Sequence, residues 1–230
     1  MSVAEPIEIS SALLAERLVP FVVKECREIL RKRYPRTFAA MQKEAESSEP
    51  RPTRQTFAWK LAELAYLVEK YKPDRVLELG SGLTTVILNE VLPGKVTTIE
   101  ESREWADKTL GMTECDMHIC PVHKLSGPQN LLVYELPSAI RDACWPLLYV
   151  DGPNTGNGPL KYVGKDASEL AASRTAFDMR TETVQYTIDE CQVSEVPYRL
   201  DIGFPGSGRL SSDPWFFYGF RYHTLLHLEL

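Results

Sequence analysis

Two glycines and two acids in this 230-residue chain have the spacing to do chemistry together. The run Val76-Leu77-Glu78-Leu79-Gly80-Ser81-Gly82-Leu83-Thr84-Thr85 reads as a buried strand, a glycine turn and a helix start. Gly80 and Gly82 free the backbone for a tight turn and for close approach by a ligand. A Gly-x-Gly turn taken alone is often only a turn. Residues 95–100 then read as a second strand ending in an acid, and Glu100 stands 20 residues after Gly80. That is near the spacing at which a carboxylate reaches the hydroxyl pair of an adenosine ribose. Taken alone, Glu100 is a solvated loop acid; taken with the glycine turn, it is a ribose acceptor. Residues 146–153 form another apolar strand, which ends in Asp151. An acid buried there needs a partner, a metal or a substrate proton to offset its desolvation. Its plainer reading is an aspartate that opens a turn.

These residues need a frame to hold them. Residues 10–33 have an apolar stripe at helical spacing, through Leu13, Leu14, Leu18, Val22, Val23, Ile29 and Leu30. Pro20 either kinks this helix or starts a second one. Lys24, Arg27, Arg31, Lys32, Arg33 and Arg36 form a basic cluster that reads as a solvated helix face, an anionic ligand being the sharper alternative. A polar, proline-bearing loop at 46–54 separates this part from a helix at 57–71, whose Leu61, Leu64, Ala65, Leu67 and Val68 would face a sheet. Helices are also expected at 83–92 and at 102–110, the latter capped by Ser102. Residues 116–122 read as a third strand, with His123 at its carboxyl end, where ligands gather in such sheets. A hairpin strand at 131–136 and a brief helix at 138–143 follow. The glycine-rich stretch 154–164 reads as a substrate-contacting loop, with Lys161 and Tyr162 as contacts. A short helix at 166–172, a fifth strand at 175–178, a helix at 183–191 and strands at 198–204 and 216–228 complete the reading.

Glu78-x-Gly80-x-Gly82 resembles motif I of the class I S-adenosylmethionine-dependent methyltransferases. Thr85 stands where a nicotinamide-binding turn carries a third glycine. The resemblance implies an α/β, Rossmann-like fold: a mostly parallel seven-stranded sheet with an antiparallel edge. An N-terminal helical extension at 1–52 would precede the α/β domain at 53–230. It implies S-adenosylmethionine as cofactor, held by Glu78, Gly80, Ser81, Gly82, Thr84 and Glu100. It also places Asp151 on the strand beside the first, near the transferable methyl. The Asp151-Gly152-Pro153-Asn154 ending resembles small-molecule and sugar O-methyltransferases, including the plant glucuronoxylan type. Asp151 would then position or deprotonate a substrate hydroxyl, with His123 as reserve base. Two departures stand out. Glu101 takes the place of an apolar residue that packs on adenine in the family, so Trp105 either covers the ring instead or belongs to the core. Asp178, 27 residues after Asp151, resembles the second acid of metal-dependent catechol-type methyltransferases, but Met179 replaces the asparagine that follows. A divalent metal is therefore disfavoured, and Asp178 reads as a helix cap. The expected activity is O-methylation of a small or sugar-like hydroxyl compound, in class EC 2.1.1. The alternatives are an NAD-dependent oxidoreductase and a non-catalytic binding module on the same fold.

Composition limits the partners. Hydrophobic residues make up 43% of the chain, enough for a core, and the net charge of −6 speaks against a nucleic-acid partner. The five cysteines are scattered with no Cys-x-x-Cys pair, which suits a reduced, cytoplasmic setting. Residues 1–6 lack a signal-peptide pattern, and no apolar run approaches a membrane span. A small-molecule substrate is the expected partner; no pattern sets an oligomeric state.

Overall fold

A computed structural model describes residues 11–46, 57–124, 132–152, 174–177, 198–201 and 222–228. The chain opens with α1 (Ser11–Arg33), α2 (Pro35–Glu46) and α3 (Phe57–Tyr71). Then come β1 (Val76–Leu79), α4 (Leu83–Val91), β2 (Val96–Glu100), α5 (Arg103–Leu110) and β3 (Asp116–Ile119). A pair of short strands follows, β4 (Val122–Lys124) and β5 (Leu132–Tyr134), then α6 (Ser138–Arg141) and β6 (Leu147–Val150). The last three elements are β7 (Arg174–Phe177), β8 (Tyr198–Asp201) and β9 (Thr224–Leu228).

Among the described residues seven strands form one sheet in the order β3-β2-β1-β6-β7-β9-β8. The pairs from β3 through β7 are parallel, while β9 runs antiparallel to both β7 and β8. This is the Rossmann-like arrangement that the motif resemblance implied, with its antiparallel edge. The chain builds outward from β1 to β2 and β3, then returns to lay β6 on the other side of β1. The gap this leaves at the carboxyl ends of β1, β2 and β6 is where open α/β sheets take ligands. Register levels the three ends: Leu79 lies opposite Ile99 and also opposite Val150.

β1 and β6, at the centre of the sheet, are covered on both faces and buried at every residue, Glu78 of β1 included. Alternation sends successive side chains to opposite faces. Val76, Leu147 and Tyr149 pack with Leu61, Leu64, Ile87 and Leu88 of α3 and α4. Leu77, Leu79, Leu148 and Val150 pack with Tyr134, Ile140 and Trp145 on the other side.

The N-terminal helices share the first of these cores, through Val22, Cys26, Leu30, Tyr34 and Met41. α1 is a single helix that contains Pro20, not two helices. The next helix begins at Pro35, where a missing N–H costs nothing. Glu90 of α4 caps it from a distance: its carboxylate accepts the Arg36 N–H at 3.1 Å, the Thr37 N–H at 2.8 Å and the Thr37 hydroxyl at 2.7 Å. A carboxylate on the free amides of a helix start is favoured by charge as well as by hydrogen bonding. Three members of the basic cluster, Arg31, Arg33 and Arg36, pair with Glu28, Glu69 and Glu90.

β4 and β5 pair antiparallel as a separate small sheet, the hairpin expected from the sequence. The expected elements at 154–164, 166–172 and 183–191, with Lys161, Tyr162, Asp178 and Met179, lie outside the described residues. Among the described residues no helix is long and apolar enough to cross a membrane, and Cys26, Cys115, Cys120 and Cys144 are free thiols.

Candidate functional site

The chain between β1 and α4 turns through Gly80 at φ +87° and Gly82 at φ +152°, both outside the range that side chains tolerate. The two glycines serve different ends. A Cβ on Gly80 would lie 2.5 Å from the Gly152 nitrogen, so the tips of β1 and β6 touch backbone to backbone. Among the described residues a Cβ on Gly82 would meet nothing within 4 Å; it faces open space. That space is a cleft of about 260 Å³ lined by Gly80, Ser81, Gly82, Thr84, Glu100 and Asp151, among others. The register described above is what brings these expected residues together.

Glu100 organises the turn. Its Oε2 accepts the Ser81 N–H at 2.8 Å and the Ser81 hydroxyl at 2.7 Å. Its Oε1 accepts the Glu101 and Ser102 N–H groups, both at 3.0 Å. Burial pushes its pKa up, and the donors from Ser102 and Ser81 oppose that shift. Gly82 donates its N–H to the Thr85 hydroxyl at 3.0 Å, and Ser102 caps α5 by accepting the Trp105 N–H at 3.3 Å.

Glu78 lies beneath the turn and not among the cleft-lining residues: it is fully buried. Its Oε2 accepts the Thr98 hydroxyl at 2.9 Å, while its Oε1 has no hydrogen-bond partner among the described residues. Desolvation raises its pKa to about 8, against the opposing hydrogen bond from the Thr98 hydroxyl. The Thr84 hydroxyl, also buried and at the cleft, has no hydrogen-bond partner among the described residues.

Asp151 stands on the opposite wall and pairs with Lys60 of α3 at 2.7 Å. Lys60 was not singled out from the sequence. Its signal was a lysine beside Leu61 and one turn before Leu64, on the face that packs against the sheet. Other residues added by the structure are Glu44, Phe57 and Met112, which line the cleft, and Tyr134, which donates to Glu101 Oε2 at 2.6 Å. Burial and the neighbouring Glu101 push the Tyr134 phenol well above its ordinary range. Trp105 is no core residue: it is 40% exposed and lines the cleft, with the Lys108 ammonium 4.2 Å from its ring centre. Lys108 also reaches Glu44 at 3.4 Å, tying α2 to α5 beside the cleft.

His123 is not brought to this site. It sits on the β4–β5 pair, largely exposed, with Nδ1 3.4 Å from Glu135. A hairpin set apart from the main sheet carries it away from the strand ends that gather the other residues. Among the described residues no group of three or more His, Cys, Asp and Glu could hold a metal ion.

No family model matches the chain, and no curated protein matches it. The chain is similar in fold to several solved methyltransferase structures. An SAH-bound methyltransferase of Podospora anserina, PaMTH1, is 12% identical over 100% of both chains, with a TM-score of 0.45. An O-methyltransferase from Bacillus cereus in complex with SAH is 12% identical, covering 95% of this chain and 96% of that one, with a TM-score of 0.40. TomG of Streptomyces achromogenes, an O-methyltransferase of tomaymycin synthesis in complex with SAM, is 15% identical over 95% of each chain, with a TM-score of 0.39.

Proposed function

We propose that the protein is an S-adenosylmethionine-dependent methyltransferase that O-methylates a small or sugar-like hydroxyl compound. The observation that carries this reading is the meeting of Gly80, Gly82, Glu100 and Asp151 around one cleft at the ends of β1, β2 and β6.

The residues present fit that cofactor. The bare Cα of Gly82 leaves room against the backbone, and the Thr84 hydroxyl beside it is a buried polar atom in need of a partner. Glu100 is held by four donors in one orientation, which fill its acceptor sites, so a ribose hydroxyl would take the place of the Ser81 hydroxyl, the one side-chain donor of the four. Trp105 offers a flat apolar surface beside Glu100 for an adenine ring.

They fit a dinucleotide less well. A pyrophosphate binds the unsatisfied amides at a helix start. Here the Ser81 N–H is given to Glu100 and the Gly82 N–H to Thr85. Glu44, Glu100, Glu101 and Asp151 line the cleft against one cationic side chain among the described residues, Lys60. That balance favours a sulfonium over a pyrophosphate and a neutral hydroxyl acceptor over an anionic one.

Bound there, S-adenosylmethionine supplies an electrophilic methyl group and its own leaving group. The protein has to orient the acceptor oxygen and receive its proton. Asp151 is the residue proposed for both tasks, and His123, standing on the hairpin, is withdrawn as its reserve.

Thermal shift tests the reading. S-adenosylhomocysteine at about 100 times its dissociation constant should stabilise the chain by roughly 2.7 kcal/mol. NAD at the same concentration should leave the midpoint where it was. Stabilisation by NAD alone would favour the oxidoreductase, and no response to either would favour a binding module.

A further inference from the structure

A lysine in the first turn of a buried helix goes against two local rules. The amino end of a helix carries partial positive charge and disfavours a cation, and burial adds the cost of desolvating it. Lys60 breaks both, since α3 starts at Phe57 and Lys60 is only 4% exposed. Asp151 Oδ2, 2.7 Å from Nζ, offsets the cost. The pair is lopsided, with the lysine side chain 5% exposed and the aspartate side chain 24% exposed. The cleft therefore meets the carboxylate, with the ammonium behind it.

Stability is a poor reason for such an arrangement, because apolar residues of the same volume generally do as well as a buried ion pair. Broken local rules cluster where a site needs them. We infer that Lys60 is a positioning residue: it holds the Asp151 carboxylate at the cleft wall and sets the net charge that a ligand meets there. This rests on the methyltransferase reading, which seats a sulfonium in the same cleft.

S-adenosylmethionine and S-adenosylhomocysteine differ at the sulfur by one methyl group and one positive charge. The ratio of their affinities therefore reports the charge beside that atom. Calorimetry on the full chain gives the ratio for the wild type, Lys60→Met, Lys60→Arg, Asp151→Asn and the Lys60→Met/Asp151→Asn double variant. Removing the ammonium takes one positive charge from beside the carboxylate, so Lys60→Met should shift the ratio toward the charged ligand by about tenfold. Lys60→Arg should keep the wild-type ratio. Asp151→Asn leaves the ammonium alone and should shift it the other way, and the double variant, in which the pair's net charge is again zero, should return toward the wild-type ratio.

A lysine with only a packing role would lower the melting temperature of Lys60→Met and leave the ratio unmoved, and that result would overturn the inference. Should Lys60→Met fail to fold, Asp151→Asn and the double variant carry the test, because removing the whole pair leaves no orphaned charge. A wild-type ratio in Asp151→Asn then overturns it. Wild-type protein that binds neither ligand defeats the methyltransferase reading itself; binding with an unmoved ratio defeats this inference alone.

Discussion

The two walls of the cleft are built in different ways. On the β1–β2 side, one carboxylate gathers four donors that all come from residues 81, 101 and 102. Each partner lies within or just after one strand-helix-strand unit, and three of the donors are backbone amides. On the β6–α3 side, two side chains 91 residues apart in sequence meet at 2.7 Å. The first wall is made of local geometry and the second of tertiary packing. Changes on the first should act through the backbone of the turn, while changes on the second should act through charge.

The sharpest way to break this comparison is at the point where the walls touch. Gly80→Ala pushes a methyl group to 2.5 Å from the Gly152 backbone and asks alanine to hold φ +87°. We expect a loss of about 3–5 kcal/mol, read as a lowered urea midpoint, or no folded protein at all. A midpoint within error of the wild type would mean that the two strand tips do not touch.

Gly82→Val should separate binding from folding. Among the described residues nothing lies within 4 Å of a Cβ there, so stability should fall mainly by the backbone cost of φ +152°, about 1–3 kcal/mol. Its branched side chain enters the cleft, and calorimetry should show S-adenosylhomocysteine binding weakened at least about a hundredfold, some 2.7 kcal/mol. Wild-type affinity in a folded Gly82→Val variant would remove the cofactor from this turn.

Beneath the first wall, Glu78 predicts a pH effect. The folded chain holds its proton up to about pH 8, whereas the unfolded chain releases it near 4.3, the ordinary value. Between those limits the unfolded state ionises and the folded state does not, so this contribution to stability is whole at acid pH and is lost as pH rises. Glu78→Gln, a mimic of the protonated form, should gain on the wild type by about 1–3 kcal/mol between pH 5 and pH 8. Parallel urea titrations at the two pH values check this, and an equal difference at both would contradict it.

The smallest effect belongs to His123, which is on neither wall. His123→Ala should change S-adenosylhomocysteine affinity by less than about twofold and stability by no more than about 0.5 kcal/mol. A clear loss of binding would return it to the site.

The same contrast explains what could be read from the chain alone. The glycine turn, Glu100 and the Ser102 cap are neighbours in sequence or lie at a spacing fixed by one strand-helix-strand unit. The sheet and its antiparallel edge were expected from the resemblance carried by Glu78-x-Gly80-x-Gly82, with the apolar runs in a matching order. Asp151 could be picked out because a buried strand ends in it, but its partner could not. Finding Lys60 requires knowing that α3 lies over β6, and nothing in residues 57–71 states that. His123 fails for a related reason. Val122, His123 and Lys124 continue past the end of β3 and bend into a separate hairpin, so a position at the carboxyl end of a strand did not become a position at the cleft. Trp105 was ambiguous because an amphipathic helix places some of its aromatics at the rim, and only packing shows which.

The contact between Gly80 and Gly152 also constrains how this protein could change over generations. A side chain on either residue would fill the same gap, whatever occupies the other. A first substitution at one therefore cannot be rescued by a later one at its neighbour, since the neighbour has nothing left to remove. Relief would require drawing two strands apart, which no single codon change achieves. Variation in this protein should therefore collect around that seam and leave the seam itself alone.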